Sequence, residues 1–203
     1  MSGAQSPEAV FIADASCAVR STQSAMHNDE EMKYTRVEYE RRFIVSPDSN
    51  WKSAIEAYSK TFEDNYIRGT RLRLRVLTDS DTGRRVIKLT KKFESPSPYF
   101  RTISRILLSS AEYELLDELD GDRMTKTRYY HNHLGRIFSI DVFQDRLDGL
   151  ILCETEADRL EDLMSAQPPA YANHEVTEDP FFEGGRLCRT TRDDLISKLV
   201  ALA

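Results

Sequence analysis

Charged and aliphatic residues alternate most sharply in the stretch Arg71-Leu-Arg-Leu-Arg-Val76. A period of two places the three arginines on one face of a strand and the aliphatic side chains on the other. We therefore predict a strand over residues 66–77 whose polar face carries an unusual density of positive charge.

Two further segments alternate in the same way and are predicted as strands. Residues 36–45 carry glutamates and an arginine on one face, and residues 85–93 carry lysines. A loop over residues 79–83 joins the second of these strands to the arginine-rich strand as a hairpin. The charged positions of one parity are Glu38, Glu40, Arg42, Lys88 and Lys92, with Lys91 as the rival of Lys92.

The rest of the pattern indicates an antiparallel α+β fold, because most strands follow one another through short turns. Residues 1–33 show little apolar periodicity and are predicted to be a disordered tail, which leaves residues 34–203 as a single domain. The further predicted strands cover residues 99–108, 124–130, 136–143 and 150–157. Helices are predicted over residues 51–62, 111–119, 158–165 and 191–202.

The composition is that of an ordinary globular chain, with 203 residues of which 40% are hydrophobic and 31% charged. It excludes a collagen-like or a wholly disordered protein. No apolar run approaches the roughly 18 residues of a membrane-spanning helix, and we see no secretory signal. Three cysteines without CxxC spacing favour a reducing setting, so we expect a cytoplasmic protein.

Charge is distributed unevenly along the chain. The net charge is −6, which argues weakly against nucleic-acid binding. Residues 66–92 nevertheless hold nine basic and two acidic side chains, whereas residues 110–162 hold fourteen acidic and six basic ones. A concentrated basic segment in an acidic protein is typical of anion binding, although a mutually neutralising surface has the same composition.

One arrangement accounts for charged faces on so many strands. A closed barrel of about eight strands puts the helices outside and the charges inside, and it leaves room for a small ligand. A lumen rich in arginine and lysine repels itself unless a polyanion is bound, and a hard divalent cation can bridge carboxylates to phosphate oxygens. The alternative is an open sheet whose charges pair across strands in solvent, and spacing alone does not decide between the two.

Seven segments, in order over roughly residues 34–188, resemble the motifs of CYTH-domain proteins, the triphosphate tunnel metalloenzymes. The first resembles the ExExK signature of that family. The segments are Glu38-Tyr-Glu40-Arg-Arg42, Arg71-Leu-Arg73, Lys88-Leu-Thr-Lys-Lys92, Lys126-Thr-Arg128-Tyr129, Ile140-Asp141-Val-Phe143, Leu150-Ile-Leu-Cys-Glu154-Thr-Glu156 and Glu175-Val-Thr-Glu-Asp179.

The resemblance implies an eight-stranded antiparallel tunnel that binds triphosphate compounds with Mg²⁺ or Mn²⁺. By that resemblance, the carboxylates that ligate the metal are Glu38, Glu40, Glu154 and Glu156, with Asp141 as either a ligand or a supporting group. The residues that hold phosphate are Arg71, Arg73, Lys88, Lys92, Arg101, Lys126 and Arg128. The residues assigned to catalysis are Glu38, Glu40, Arg42 and Glu156.

The chain departs from the family pattern at two important places. Arg42 replaces the lysine of ExExK, and an arginine does not exchange its proton near neutrality. Many bacterial members carry an acidic R-x-E-x-E strand, whereas residues 99–106 here place Arg101, Ile103 and Arg105 on one parity. The first change puts a base role of this position in doubt, and the second replaces carboxylates on the metal side with groups that can grip phosphate.

We expect a metal-dependent hydrolase of inorganic, nucleoside or other organic triphosphates. The alternatives are a class IV-type adenylate cyclase and a non-catalytic module that binds polyphosphate or nucleotides. The expected partner is a small-molecule triphosphate, with no membrane or nucleic acid, and a homodimer is left open. The histidines His131 and His133 are expected in an exposed hairpin turn, without a metal.

Overall fold

The computed structural model describes residues 33–172 and 174–202. The predicted tail therefore lies outside the described residues, apart from Lys33. The strands are β1 Arg36–Ile44, β2 Ser59–Ile67, β3 Leu72–Asp79, β4 Arg85–Lys92, β5 Phe100–Leu108, β6 Gly121–His133, β7 Arg136–Phe143, β8 Ile151–Ala157 and β9 His174–Glu175. The helices are α1 Ser110–Asp117, α2 Leu160–Met164, α3 Gly184–Leu187 and α4 Arg192–Val200, with 3₁₀ turns at Asn50–Ser53, Asp145–Leu147 and Pro180–Phe182.

Strands β1 to β8 form a closed antiparallel barrel. Their order is β5-β4-β3-β2-β6-β7-β8-β1, and β1 returns to pair with β5, which closes the ring. At the closure Glu38 lies opposite Arg101, and on the other side of β1 Glu40 lies opposite Glu156. The short β9 pairs with the far end of β1. The predicted closed eight-stranded α+β barrel is confirmed.

The register sends the charged face of each strand into the barrel. Residues that lie opposite each other in an antiparallel pair point to the same side. Arg75 lies opposite both Asp64 of β2 and Lys88 of β4, and Arg128 lies opposite Asp141. The alternation seen in the sequence therefore continues around the ring as one charged interior.

The outer face of the barrel is apolar and is covered by loops and helices. Leu74, Val76 and Ile87 are buried beneath Tyr113 and Leu116 of α1. Ser109 begins that helix with a capping box, which satisfies backbone donors at its start. None of the helices in the described part of the chain has the length and apolar content needed to cross a bilayer.

The C-terminal segment packs into one end of the barrel. Met124, Phe143 and Leu152 point inward near this end and are buried with Phe182 and Leu187. Burial of such side chains contributes roughly 1.5–3 kcal/mol each relative to exposure. The segment after β9 thus closes one end of the lumen with an apolar contact. The charged part of the lumen lies beyond this contact.

The predicted helix over residues 51–62 is wrong. Only Asn50–Ser53 is helical, as a 3₁₀ turn that buries Trp51, and Ser59 begins β2. In β2 the inward positions hold Asp64 beside Phe62, so the strand lacks the apolar alternation that identifies a strand in sequence. Pairing with both β3 and β6 stabilises this segment as a strand, which its local propensity does not do.

The predicted strand over residues 66–77 is two strands. The chain turns after Ile67, where Gly69 has a φ of +75°, and resumes at Leu72. The histidine prediction is also corrected, because β6 runs on to His133 and the turn is Leu134-Gly135. His131 is half-buried there, with its Nδ1 2.7 Å from the Tyr171 hydroxyl.

Candidate functional site

Two adjoining cavities occupy the charged part of the barrel. The outer one has a volume of about 670 Å³ and the inner one about 70 Å³, and they share lining residues from β1, β3 and β4. The basic residues that line them are Arg42, Arg71, Arg73, Arg75, Lys91, Lys92, Arg101, Arg105, Lys126, Arg128 and Arg189. The acidic ones are Glu38, Glu40, Glu154, Glu156 and Glu183.

The two glutamates of β1 are held by arginines. Glu38 accepts hydrogen bonds from Arg36 and from Arg105, whose Nη2 lies 2.9 Å from its Oε1. Burial would raise the pKa of Glu38, but these arginines outweigh burial and lower it. Glu40 accepts a hydrogen bond from Arg42. Both carboxylates are therefore already paired.

A second network lies deeper, on β6, β7 and β8. Asp141 is fully buried and accepts hydrogen bonds from Lys126 and from both Nε and Nη2 of Arg128, at 2.6 Å each. Arg128 also donates to Glu154, which accepts a further bond from Arg42 Nε at 3.1 Å. This chain of five charged groups ties four strands together through their inward faces.

Asp64 on β2 is the buried carboxylate of the opposite wall. Arg75 donates to it from Nη2 at 2.6 Å, and Arg73 Nε lies 4.0 Å away. Burial alone would raise the pKa of Asp64, but Arg75 and Arg73 outweigh it and lower that pKa to about 2. Asp64 therefore neutralises Arg75 and leaves Arg73 only weakly compensated.

Two cations in the cavities lack a close partner. Arg73 is 7% exposed, and its Nε is buried without a hydrogen bond among the described residues. The Lys92 ammonium group makes no hydrogen bond or ion pair within residues 33–172 and 174–202. Burial, together with the charge of Arg73, lowers the pKa of Lys92 to about 8. Such a pair of like charges is stabilised by an anion.

Glu156 is the one predicted acid of the site without a hydrogen bond or ion pair in the described chain. It projects from the solvent-accessible end of β8 and lines the inner cavity. Enclosure by the barrel wall and repulsion from Glu40 and Glu38 raise its pKa to about 7. It therefore changes its protonation state near neutral pH.

The remaining predicted phosphate ligands lie nearer the ends of the barrel. Arg71 precedes β3 at the rim of the outer cavity and pairs with Glu94. Arg101 Nη2 donates to Glu183 of the C-terminal segment at 2.9 Å. Lys88 points inward beside Arg75. Of the two rival lysines Lys92 has the inward register, while Lys91 lies on the opposite parity.

Comparisons with known proteins give low similarity. No family model matches the chain, and no curated protein matches it. The inorganic triphosphatase NE1496 is similar at 25% identity and a TM-score of 0.48, over 75% of this chain and 95% of that one. Another crystal structure of NE1496 gives 26% identity and a TM-score of 0.49, over 76% and 99%. The PH1819 protein from Pyrococcus horikoshii OT3 gives 21% identity and a TM-score of 0.47, over 63% and 82%.

The barrel agrees with the resemblance of the motifs to CYTH-domain proteins. Six of the seven motif segments supply inward-facing charges of one closed eight-stranded barrel, as that resemblance implies. The seventh segment of the CYTH pattern forms β9 and the residues after it, where Glu175 pairs with Arg41 outside the lumen.

The carboxylates of this barrel are not arranged as a metal site. Their oxygens are ligands that Mg²⁺ and Mn²⁺ accept. Within the described ranges, however, no group of three or more His, Cys, Asp or Glu side chains is placed to hold a metal ion. Glu38, Glu40, Glu154 and Asp141 are directed at arginines or lysine instead. The residues present therefore do not fit the metal that the resemblance implies.

Two parts of the site were not predicted from the sequence. Asp64 went unnamed because it lies in β2, which has no apolar alternation. The contact of Glu183 and Gly184 with the outer cavity was not predicted either. Gly184 packs closely there, since a Cβ at this position would lie 2.1 Å from the Tyr66 hydroxyl. A local signal existed only for Asp64, since it is opposite Arg75 once β2 and β3 are paired as a hairpin.

We expect Asp141→Asn to lower the free energy of unfolding by roughly 3–5 kcal/mol, because it leaves Lys126 and Arg128 buried with less negative charge. Urea denaturation measures this change. Asp158→Asn, an exposed residue of the same type, serves as the control and should change stability little. Equal stability of the two variants would contradict the description of Asp141 as the anchor of the inner network.

Proposed function

We propose that this barrel binds triphosphate compounds in its lumen and hydrolyses their terminal phosphoanhydride bond. One observation carries the proposal. Arg73 and Lys92 are cations without a close partner in a cavity that also holds Glu156, an acid with a pKa near neutrality. A polyanion satisfies the two cations, and the acid is suited to proton transfer.

Binding is assigned to the cations that have no other partner. Arg73 offers Nε–H and a guanidinium fork that suits phosphate oxygens, and Lys92 offers a point charge. Asp141 holds Lys126 and Arg128 in place. These two residues therefore contribute positive potential to the inner cavity and set the direction of that potential. The phosphate chain is the common part of all substrates in this class, and inorganic, nucleoside and organic triphosphates remain equal candidates.

Hydrolysis of the terminal phosphate requires positioning and charge neutralisation more than covalent help from the protein. In the proposed reaction, a water attacks the terminal phosphorus, and the bond to the bridging oxygen breaks. Glu156 accepts the proton of the water, and the diphosphate leaves with its charge facing Arg73 and Lys92. Arg42 keeps its proton throughout, so its role is to fix Glu40 and Glu154.

A non-catalytic triphosphate-binding module is the second candidate. It is favoured by the pairing of Glu38, Glu40 and Glu154 with arginines, which leaves few groups free to activate water. This candidate predicts tight binding without turnover, whereas the hydrolase predicts phosphate release.

The hydrolase is tested by phosphate release from inorganic triphosphate, ATP and thiamine triphosphate, with Mg²⁺, with Mn²⁺ and with a chelator. We expect Glu156→Gln to lower kcat by about 10²–10⁴, the usual contribution of a general base, while triphosphate binding is retained. The control is Glu161→Gln, which changes an exposed glutamate outside the cavities. Unchanged kcat in Glu156→Gln would contradict the proposed role, and binding without turnover of any substrate would favour the second candidate.

Triphosphate binding should weaken as the pH rises from 7 to 9. Lys92 has a lowered pKa of about 8, so it is charged below this pH and loses its proton above it. If the bound anion holds the proton on Lys92, the Kd increases about tenfold over this range. Isothermal titration calorimetry at several pH values measures the change. Lys92→Arg should largely flatten the pH profile above pH 8, since arginine keeps its charge; a profile that stays as steep would contradict this assignment.

A further inference from the structure

Four of the five carboxylates predicted to ligate a metal are already paired with basic side chains, and only Glu156 has no such partner among the described residues. Arg36 and Arg105 hold Glu38, and Arg42 holds Glu40. Arginine keeps its proton at any pH relevant to a protein. A divalent cation at these glutamates must therefore displace a permanent positive charge rather than a proton.

The deeper carboxylates are held in the same way. Glu154 lies between Arg42 and Arg128, and Asp141 lies between Arg128 and Lys126. These five groups have side chains that are at most 13% exposed. Separating the ion pairs would leave buried charges without partners, which costs roughly 3–5 kcal/mol for each broken pair.

The charge of the cavities favours a bare polyanion. Eleven basic and five acidic side chains line them, and the further buried carboxylates Asp64 and Asp141 pair with basic residues of this lining. A triphosphate carries about four negative charges near neutral pH, since each phosphate carries one and one terminal phosphate is close to doubly ionised. The basic excess of the lining therefore favours the anion, and a divalent cation bound with it would add to that excess.

Resting on the proposed function, we propose that this lumen binds the triphosphate chain without a divalent cation. Arg42 and Arg105 supply, as fixed charges, the neutralisation that a metal would otherwise supply. Arg105 is the decisive residue, because it stands on β5 with its guanidinium on Glu38. Arg42 has the same role on β1, between Glu40 and Glu154.

The first test is calorimetric titration of the full chain with inorganic triphosphate, in EDTA and in 1 mM Mg²⁺. We expect binding in EDTA with a Kd no weaker than that in Mg²⁺, because Mg²⁺ complexes the ligand and lowers its charge. Binding that is at least tenfold tighter in Mg²⁺ overturns this inference and leaves the proposed function standing. The absence of binding in both conditions overturns both.

The second test reverses the charge at the decisive position. Arg105→Glu should weaken triphosphate binding in EDTA at least tenfold and make it dependent on Mg²⁺, because it frees Glu38 and adds a carboxylate beside it. The matched control is Arg85→Glu, the same charge change at an exposed residue of outward parity at the start of β4. Arg85→Glu should leave the Kd within about threefold of the unmodified protein.

Electron paramagnetic resonance of Mn²⁺ reports the metal without any assay of activity. In the absence of triphosphate, the unmodified protein should leave Mn²⁺ free at 100 µM, and Arg105→Glu should bind it. Stoichiometric Mn²⁺ binding by the unmodified protein overturns the inference. Thermal melts of Arg105→Glu and Arg85→Glu check that these variants fold. Glu38→Gln is a further variant. It should not weaken triphosphate binding in EDTA, since it removes negative charge from the lumen.

Discussion

Enclosed charge is the constraint on which the rest of this barrel depends. A closed sheet of eight alternating strands has one inward face, and in this chain that face is charged on nearly every strand. Charges removed from water are tolerated only when they are paired and hydrogen-bonded. The networks of Asp141 with Lys126 and Arg128, and of Asp64 with Arg75, meet this requirement on opposite walls.

The pairing of these charges is incomplete, and the charged groups without a close partner define the site. Arg73 keeps a buried Nε without an acceptor, and Lys92 has a lowered pKa because burial and Arg73 both oppose its charge. Glu156 has the opposite problem, since Glu40 and Glu38 oppose its ionisation. Two cations and one acid, each of which faces groups of its own charge, therefore lie in one cavity. Anion binding and proton transfer require this arrangement.

The closed barrel and most of its inward charges were predictable because charge alternation marks a strand as clearly as apolar alternation does. Glu38, Arg73, Lys92 and Glu154 all have the predicted inward register. Strand β2 was not predictable, because Asp64 and Phe62 share its inward face and the neighbouring residues 51–58 imitate a helix. The separation of cations into paired and unpaired ones was also beyond the sequence, since it depends on which strands become neighbours after closure.

The most direct measurement of the central claim is a crystal structure of the protein with a non-hydrolysable triphosphate analogue. We expect phosphate oxygens within about 3.2 Å of Arg73 Nε and of Lys92 Nζ, inside the barrel and beside Glu156. A phosphate chain bound on the outer face, or an occupied lumen in which Arg73 still lacks an acceptor, would contradict it.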